Sequence, residues 1–210
     1  ATCCGAVTFH LNHQTDALTY MRRNIDAWWP FIEDGAEAIV MTASGCGTMV
    51  AEYAHLLADD PAYAARAKRV TELARDISEI MEAESDSLEK AIGEKPVLQG
   101  GSRPRVAFHS PCSLQHGQQI RGKVEALLDA SGYELTIVPD AHLCCGSAGT
   151  YSILQETLSQ RLLKNKVAAL ESDQPVAVAT ANIGCLTHIQ GGTGLPVRHW
   201  IELLDERLTA

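Results

Sequence analysis

The sequence predicts an α/β protein made of duplicated, cysteine-rich βαβ-type modules with parallel sheets, the first module truncated. Three observations lead there. The triplet Cys-Cys-Gly occurs twice, as Cys3-Cys4-Gly5 and Cys144-Cys145-Gly146. Each copy is followed by a helical stretch and then an apolar run ending in Gly-Cys, with 40 residues between Gly5 and Cys46 and 38 between Gly146 and Cys185. Such self-similarity at matched spacing is the mark of an internal duplication. Finally, the second half alternates short β-like runs with helical periodicity, the pattern of parallel pairing in an α/β layer structure.

The elements follow in order. In the first copy, Ala38-Ile39-Val40-Met41 reads as the apolar strand that leads to Gly45-Cys46. Trp28-Trp29-Pro30 reads as core and turn, and Ala65–Ala91, with charged and apolar residues alternating at helical spacing, as one packing helix. Gly93–Pro104, rich in Gly, Pro and polar residues, is the expected boundary, giving 1–98 as the remainder of the first module and 103–210 as the second, complete one. In the second copy, Arg105–His109 reads as a buried strand ending at Ser110-Pro111-Cys112. Lys123–Ala130 is a short helix stopped by Ser131-Gly132, and Glu134–Val138 a strand broken by Pro139-Asp140. Gln155–Leu170 has apolar residues at Leu158, Leu162, Leu163, Val167 and Leu170, which is helical spacing. Val176–Thr180 is a strand, Pro196-Val197 a further short one, and Trp200–Leu208 a helix. The first copy has no counterpart of the strand, helix and leading cysteine that precede Cys144, so an exposed sheet edge is expected there.

Composition narrows the function. The 210 residues carry a net charge of −9, with 17 Lys and Arg scattered along helix faces, which excludes a phosphate-binding surface and with it a nucleic-acid partner. No apolar run approaches the roughly 20 residues that span a bilayer, and no basic-then-apolar leader opens the sequence. The expected compartment is therefore the reducing cytoplasm, where structural disulfides are rare. Seven cysteines, Cys3, Cys4, Cys46, Cys112, Cys144, Cys145 and Cys185, then read as metal ligands or redox groups.

Strand C-termini in a parallel sheet open onto one edge, where sites collect. Cys112, Cys144-Cys145 and Cys185 each follow a predicted strand, so the fold brings them together. Converging thiolates suit an iron–sulfur cluster or zinc. Zinc sites usually draw ligands from Cys-x-x-Cys pairs; adjacent cysteines, as here, bind different irons of a larger cluster more easily. Thiol–disulfide chemistry is the third reading. His188, three residues after Cys185, is a candidate fifth ligand or a donor just outside the ligand set. His109, His116 and His142 flank the ligands and are candidates for groups just outside the ligand set, though they read more simply as surface or core residues; His10 and His13 carry little signal.

The pattern Cys112-x31-Cys144-Cys145-Gly146-x38-Cys185 resembles the cysteine-rich domain found, usually in duplicate, in heterodisulfide reductase and in iron–sulfur subunits of glycolate oxidase and lactate-utilisation systems. The phrases His142–Tyr151, Ala181–His188 and Pro196–Leu204 look most like the glycolate oxidase subunits. The resemblance implies an electron-transfer subunit with an iron–sulfur cluster of 4Fe-4S type in a four-ligand site, Cys112, Cys144, Cys145 and Cys185 with His188 as a further candidate, and with Cys3, Cys4 and Cys46 as candidate metal ligands in the first module. Electrons would come from a flavin-containing subunit that oxidises glycolate to glyoxylate and would pass, with other subunits of the complex, towards a quinone or other membrane acceptor. It implies a cytoplasmic protein peripheral to the inner face of the membrane, inactive as this chain alone. A cluster-based thiol–disulfide reductase and a zinc-stabilised interaction module are the alternatives. One departure bears on the ligand set: where the family often ends in Cys-x-x-Cys, His188 and Met49 stand at the last positions after Cys185 and Cys46.

Overall fold

The computed structural model describes residues 2–93 and 103–209, so most of the expected Gly93–Pro104 boundary lies outside the described residues. The chain forms two compact units, Ala1–Ile77 and Ser78–Ala210.

In the first unit, α1 (Ala6–His10) and α2 (Gln14–Glu33) precede strand β1 (Ile39–Met41); α3 (Ser44–Ala51), α4 (Tyr53–Leu56) and α5 (Ala64–Leu73) lead to β2 (Ala74–Asp76). Helix α2 buries Ala17, Met21, Asn24 and Ile25, spaced to share one face. They pack with Met49, Val50, Tyr53, Leu57, Ala67, Val70 and Leu73. β1 and β2 pair in parallel from Ile39↔Ala74 to Met41↔Asp76, with Val40 exposed.

Two expectations need correction here. Ala65–Ala91 is not one helix. After Leu73 the backbone turns extended at Ala74 (φ −65°, ψ 128°), and Ala74–Asp76 commit their backbone groups to β1. Tertiary pairing overrides helical propensity, and the chain resumes as α6 (Ile77–Ala83) and α7 (Ser85–Gly93). Trp28-Trp29-Pro30 forms no turn either: all three lie inside α2, and the chain reverses later, at Gly35 (φ +94°). Trp28 stacks on Tyr53 with ring centroids 6.5 Å apart, and the Arg66 guanidinium lies 4.9 Å over Trp29.

The second unit adds β3 (Arg105–His109), a π-helical turn (Ser113–Gly117), α8 (Lys123–Ala130), β4 (Glu134–Leu135), α9 (Tyr151–Leu154), α10 (Glu156–Glu171), β5 (Ala177–Thr180), α11 (Ile183–Gln190), β6 (Val197–His199) and α12 (Trp200–Thr209). Its four strands run in the order β4-β3-β5-β6, all parallel. β5 is buried throughout and β3 from Val106 to His109, as expected for central strands covered on both faces. The predicted strand Glu134–Val138 is shorter than expected. Thr136 N–H still donates to Val106 O at 3.0 Å, but Ile137 N–H turns to Asp173 Oδ2 (3.3 Å) and the Ile137 side chain is exposed. No helix among the described residues is long and apolar enough to cross a membrane.

Candidate metal centre

The sheet register sets the site. His109 and Thr180 end the two central strands side by side, and Thr180 Oγ1 donates to His109 O at 3.0 Å. Just beyond β3, Cys112 stands at the start of the π-helical turn, which is pinned by Gln115 Nε2–H to Ser110 O (2.8 Å) and Arg121 Nε–H to Gln115 O (2.9 Å). Just beyond β5, extended Asn182 opens α11 and places Cys185 in its first turn. The third contributor is the loop that carries Cys144-Cys145. Lys166 on α10 holds it from below, its buried ammonium donating to Asp140 O (2.9 Å) and Ala141 O (3.3 Å).

The four thiols form a chain of contacts. Cys112 Sγ donates to Cys144 Sγ at 3.8 Å; the single S–H of Cys145 is shared between Cys144 and Cys185. Cys112 and Cys144 are half-buried, Cys145 and Cys185 buried. Hydrogen bonds from Cys112 and Cys145, with the Gly146 N–H at 3.3 Å, hold the Cys144 thiol well below the ordinary thiol range. The hydrogen bond from Cys145 brings Cys185 down to about 5, helped by the nearby His109 and by Asn182 Nδ2 at 3.6 Å. The donors show the converse: Cys112 is pushed up by its bond to Cys144 and Cys145 by its bonds to Cys144 and Cys185, burial adding in both. Cys144 and Cys185 are thus the two thiols whose deprotonation the site favours, and thiolates are what metals bind.

The histidine that joins these sulfurs is His109. Its ring nitrogen, Cys145 Sγ and Cys185 Sγ all lie within 4.8 Å of one another. His188 sits behind the loop instead: its Nε2 is 3.2 Å from Ser159 Oγ, which donates to Gly146 O at 2.9 Å. His116 Nε2 lies 3.4 Å from His142 O, linking the Cys112 turn to the cysteine loop.

The first unit repeats the plan. Cys46, like Cys185, is in the first turn of a helix after a strand, here α3. The Cys4 thiol donates to Cys46, which lowers Cys46 to about 7 and pushes Cys4 up. Cys3 is exposed and close enough for its charge to act on Cys46. The backbone of the pair is clamped: Asn24 Nδ2 donates to Cys3 O (3.0 Å) and Tyr53 Oη to Cys4 O (2.8 Å). Both triplet glycines are left-handed, Gly5 at φ +89° and Gly146 at φ +96°, and each lies against a helix carbonyl, Ala17 O and Ser159 O respectively.

Lys166, Ser159 and Asn24 carry the supporting contacts, and helical periodicity alone does not single them out. Their signal is a polar residue on an otherwise apolar stripe: Lys166 and Ser159 among Leu163, Val167 and Leu170, and Asn24 among Ala17, Met21 and Ile25. The donor set of four thiols, two of them favoured as thiolates, with a buried imidazole that faces sulfur and meets no oxygen or nitrogen partner, fits an iron–sulfur centre.

The family model of the cysteine-rich domain named CCG matches residues 1–51 and 106–190. The glycolate oxidase iron-sulfur subunit of Escherichia coli K12 is 50% identical over 99% of this chain and 49% of its own length. The probable glycolate oxidase iron-sulfur subunit of Bacillus subtilis 168 is 30% identical over 90% of this chain and 41% of its own. Lactate utilization protein A of Bacillus velezensis is 29% identical over 98% of this chain and 83% of its own. The chain thus spans about half the length of the two glycolate oxidase subunits.

Proposed function

The chain belongs to the cysteine-rich CCG domain family, and on that premise we propose that it is the cluster-carrying part of an electron-transfer subunit in a glycolate oxidase complex. The observation that carries the reading is the convergence of Cys112, Cys144, Cys145 and Cys185, from three separate segments, at the ends of two neighbouring parallel strands. These four cysteines are the proposed ligands of a 4Fe-4S cluster in the second module (103–210). Cys3, Cys4 and Cys46 are the corresponding ligands in the first (1–98). The 50% identity to the E. coli subunit supports the assignment to glycolate oxidation.

A bound iron–sulfur cluster supplies one-electron transfer. The residues of this chain do the rest. The thiolates of Cys144 and Cys185 offer negative donors. The Gly146 N–H and Lys166, whose ammonium is disfavoured by burial and favoured by the charge of Cys145 and Cys144, oppose the charge that gathers on the sulfurs, and so favour a reduced state. The His188–Ser159–Gly146 contacts fix the loop from outside the ligand set. In the complex, electrons arrive from a flavin-containing subunit that converts glycolate to glyoxylate and leave through other subunits towards a quinone or other membrane acceptor. The protein is placed in the cytoplasm, at the inner face of the membrane, and by itself does not oxidise glycolate.

The test is anaerobic purification followed by assay of iron, zinc and acid-labile sulfide per chain. About four irons with matching sulfide per occupied module, lost from the second module in Cys145→Ser, is the expected result. Stoichiometric zinc without sulfide refutes the electron-transfer role and leaves a structural module.

A further inference from the structure

One buried polar side chain at the centre has no use in the structure as it stands. His109 is 1% exposed, and its ring nitrogens meet no oxygen or nitrogen partner; what they face is sulfur, at Cys145 and Cys185. A neutral imidazole carries one donor and one acceptor, and leaving either without a strong partner in the interior is unfavourable. The other polar groups around the loop are satisfied: Lys166 by two carbonyls, His188 by Ser159, and His116 by His142 O. Nor is the position of His109 accidental. It ends β3 in register with Thr180, and its own carbonyl is held by the Thr180 hydroxyl. A ring nitrogen is thereby kept within 4.8 Å of both Cys145 Sγ and Cys185 Sγ, close enough for one metal atom to contact all three.

We propose that His109 is a metal ligand, its imidazole nitrogen binding the same iron–sulfur centre as Cys145 and Cys185. The inference rests on the cluster reading above and adds a nitrogen donor to a centre otherwise ligated by sulfur. Imidazole and thiolate are both good donors to iron. Exchanging thiolate for histidine is a recognised way of raising a cluster's reduction potential, so a neutral imidazole at this position sets a higher potential than a cysteine thiolate in its place. His188, the histidine favoured by spacing, keeps its role outside the ligand set.

The test uses the whole iron–sulfur subunit in its complex, prepared without oxygen, with and without 15N-labelled histidine. Pulsed electron paramagnetic resonance of the paramagnetic state is read beside iron and sulfide content and a redox titration. The expected result is a nitrogen coupling of the strength of a direct iron–nitrogen bond that changes with the label. It is lost in His109→Cys, which retains iron and sulfide and shows a lower potential; His188→Gln leaves the coupling in place. His109→Asn serves the same purpose should the cysteine variant fail to fold. Bound iron and sulfide with only weak, remote nitrogen couplings in the unmodified protein would overturn the ligation and leave the cluster reading intact, as would a strong coupling that survives in both His109 variants. Absence of iron and sulfide from the unmodified protein overturns both.

Discussion

Replacing Gly146 by alanine separates two costs that usually arrive together. The residue sits at φ +96°, where an L side chain is strained, at about 1–2 kcal/mol. A Cβ there would also lie 2.6 Å from the Ser159 carbonyl oxygen, 3.1 Å from Leu162 Cβ and 3.3 Å from His188 Nε2. The Ser159 oxygen is helix backbone and cannot rotate away, so the loop or α10 must shift, an overpacking cost of about 1–3 kcal/mol. Together these predict a loss of about 2–5 kcal/mol from the second unit. Gly149→Ala is the internal control: its φ is also positive (+61°), but nothing lies within 4 Å of a Cβ there. It should cost only the strain, about 1–2 kcal/mol. Gly5→Ala, whose Cβ would meet Ala17 O at 3.1 Å, should fall between, in the first unit. Hydrogen exchange resolved by peptide reads the two units separately in one sample. Equal losses for Gly146→Ala and Gly149→Ala would refute the steric argument, and so would an unchanged iron content in Gly146→Ala, since the same shift displaces Cys144 and Cys145.

Other expectations follow from the site. Lys166→Met removes a buried cation and two hydrogen bonds from the cysteine loop, so the cluster's reduction potential should fall; a redox titration showing no change or a rise would contradict the electrostatic role given to Lys166. Tyr53→Phe strips the donor from Cys4 O and the acceptor from Asn24, at a cost of about 1–3 kcal/mol; protection should be lost around α2 and the Cys3-Cys4 segment, with the second unit unaffected. In metal-free protein at neutral pH, iodoacetamide should modify Cys144 well ahead of Cys112. The two are similarly half-buried, but only Cys144 is held below the ordinary thiol value of about 8.5. The gap should persist as pH rises past that value, because Cys112 is held above it. Equal rates at neutral pH, read by peptide mass spectrometry, would show that the proton is not distributed as the hydrogen bonds indicate.

Much of this is legible in the residues. The strand Arg105–His109 and the helix Lys123–Ala130 occur at the limits expected, because apolar runs and Gly or Pro punctuation set both. The duplication is legible too, and the structure gives it a physical content: two left-handed glycines pressed on helix carbonyls and two cysteines in first helical turns. What escapes the sequence is whatever depends on a distant partner. Ala74–Asp76 is extended because β1 lies beside it, which no local pattern reveals. The apolar periodicity of α10 includes Leu158, which is exposed, whereas Ser159 and Lys166 are buried beneath the cysteine loop. His109 reads only as one of three histidines flanking the ligands, with nothing to set it above His116 or His142. Only the parallel pairing with β5 shows that it faces two sulfurs from segments far along the chain.

That pairing also dictates an order of assembly. Cys112 and Cys185 belong to one site only when β3 and β5 are side by side, and β5 is made long after β3 leaves the ribosome. Parallel strands joined by intervening helices are among the slower contacts for a chain to form. Until they form, a newly made chain offers scattered thiols and no receptacle. The wholly buried Ala107, Val178 and Ala179 at its centre give the sheet a source of stability that does not depend on metal. On a sheet held in that way, cluster delivery would act on a folded acceptor, with the cysteines of the site already gathered at one edge.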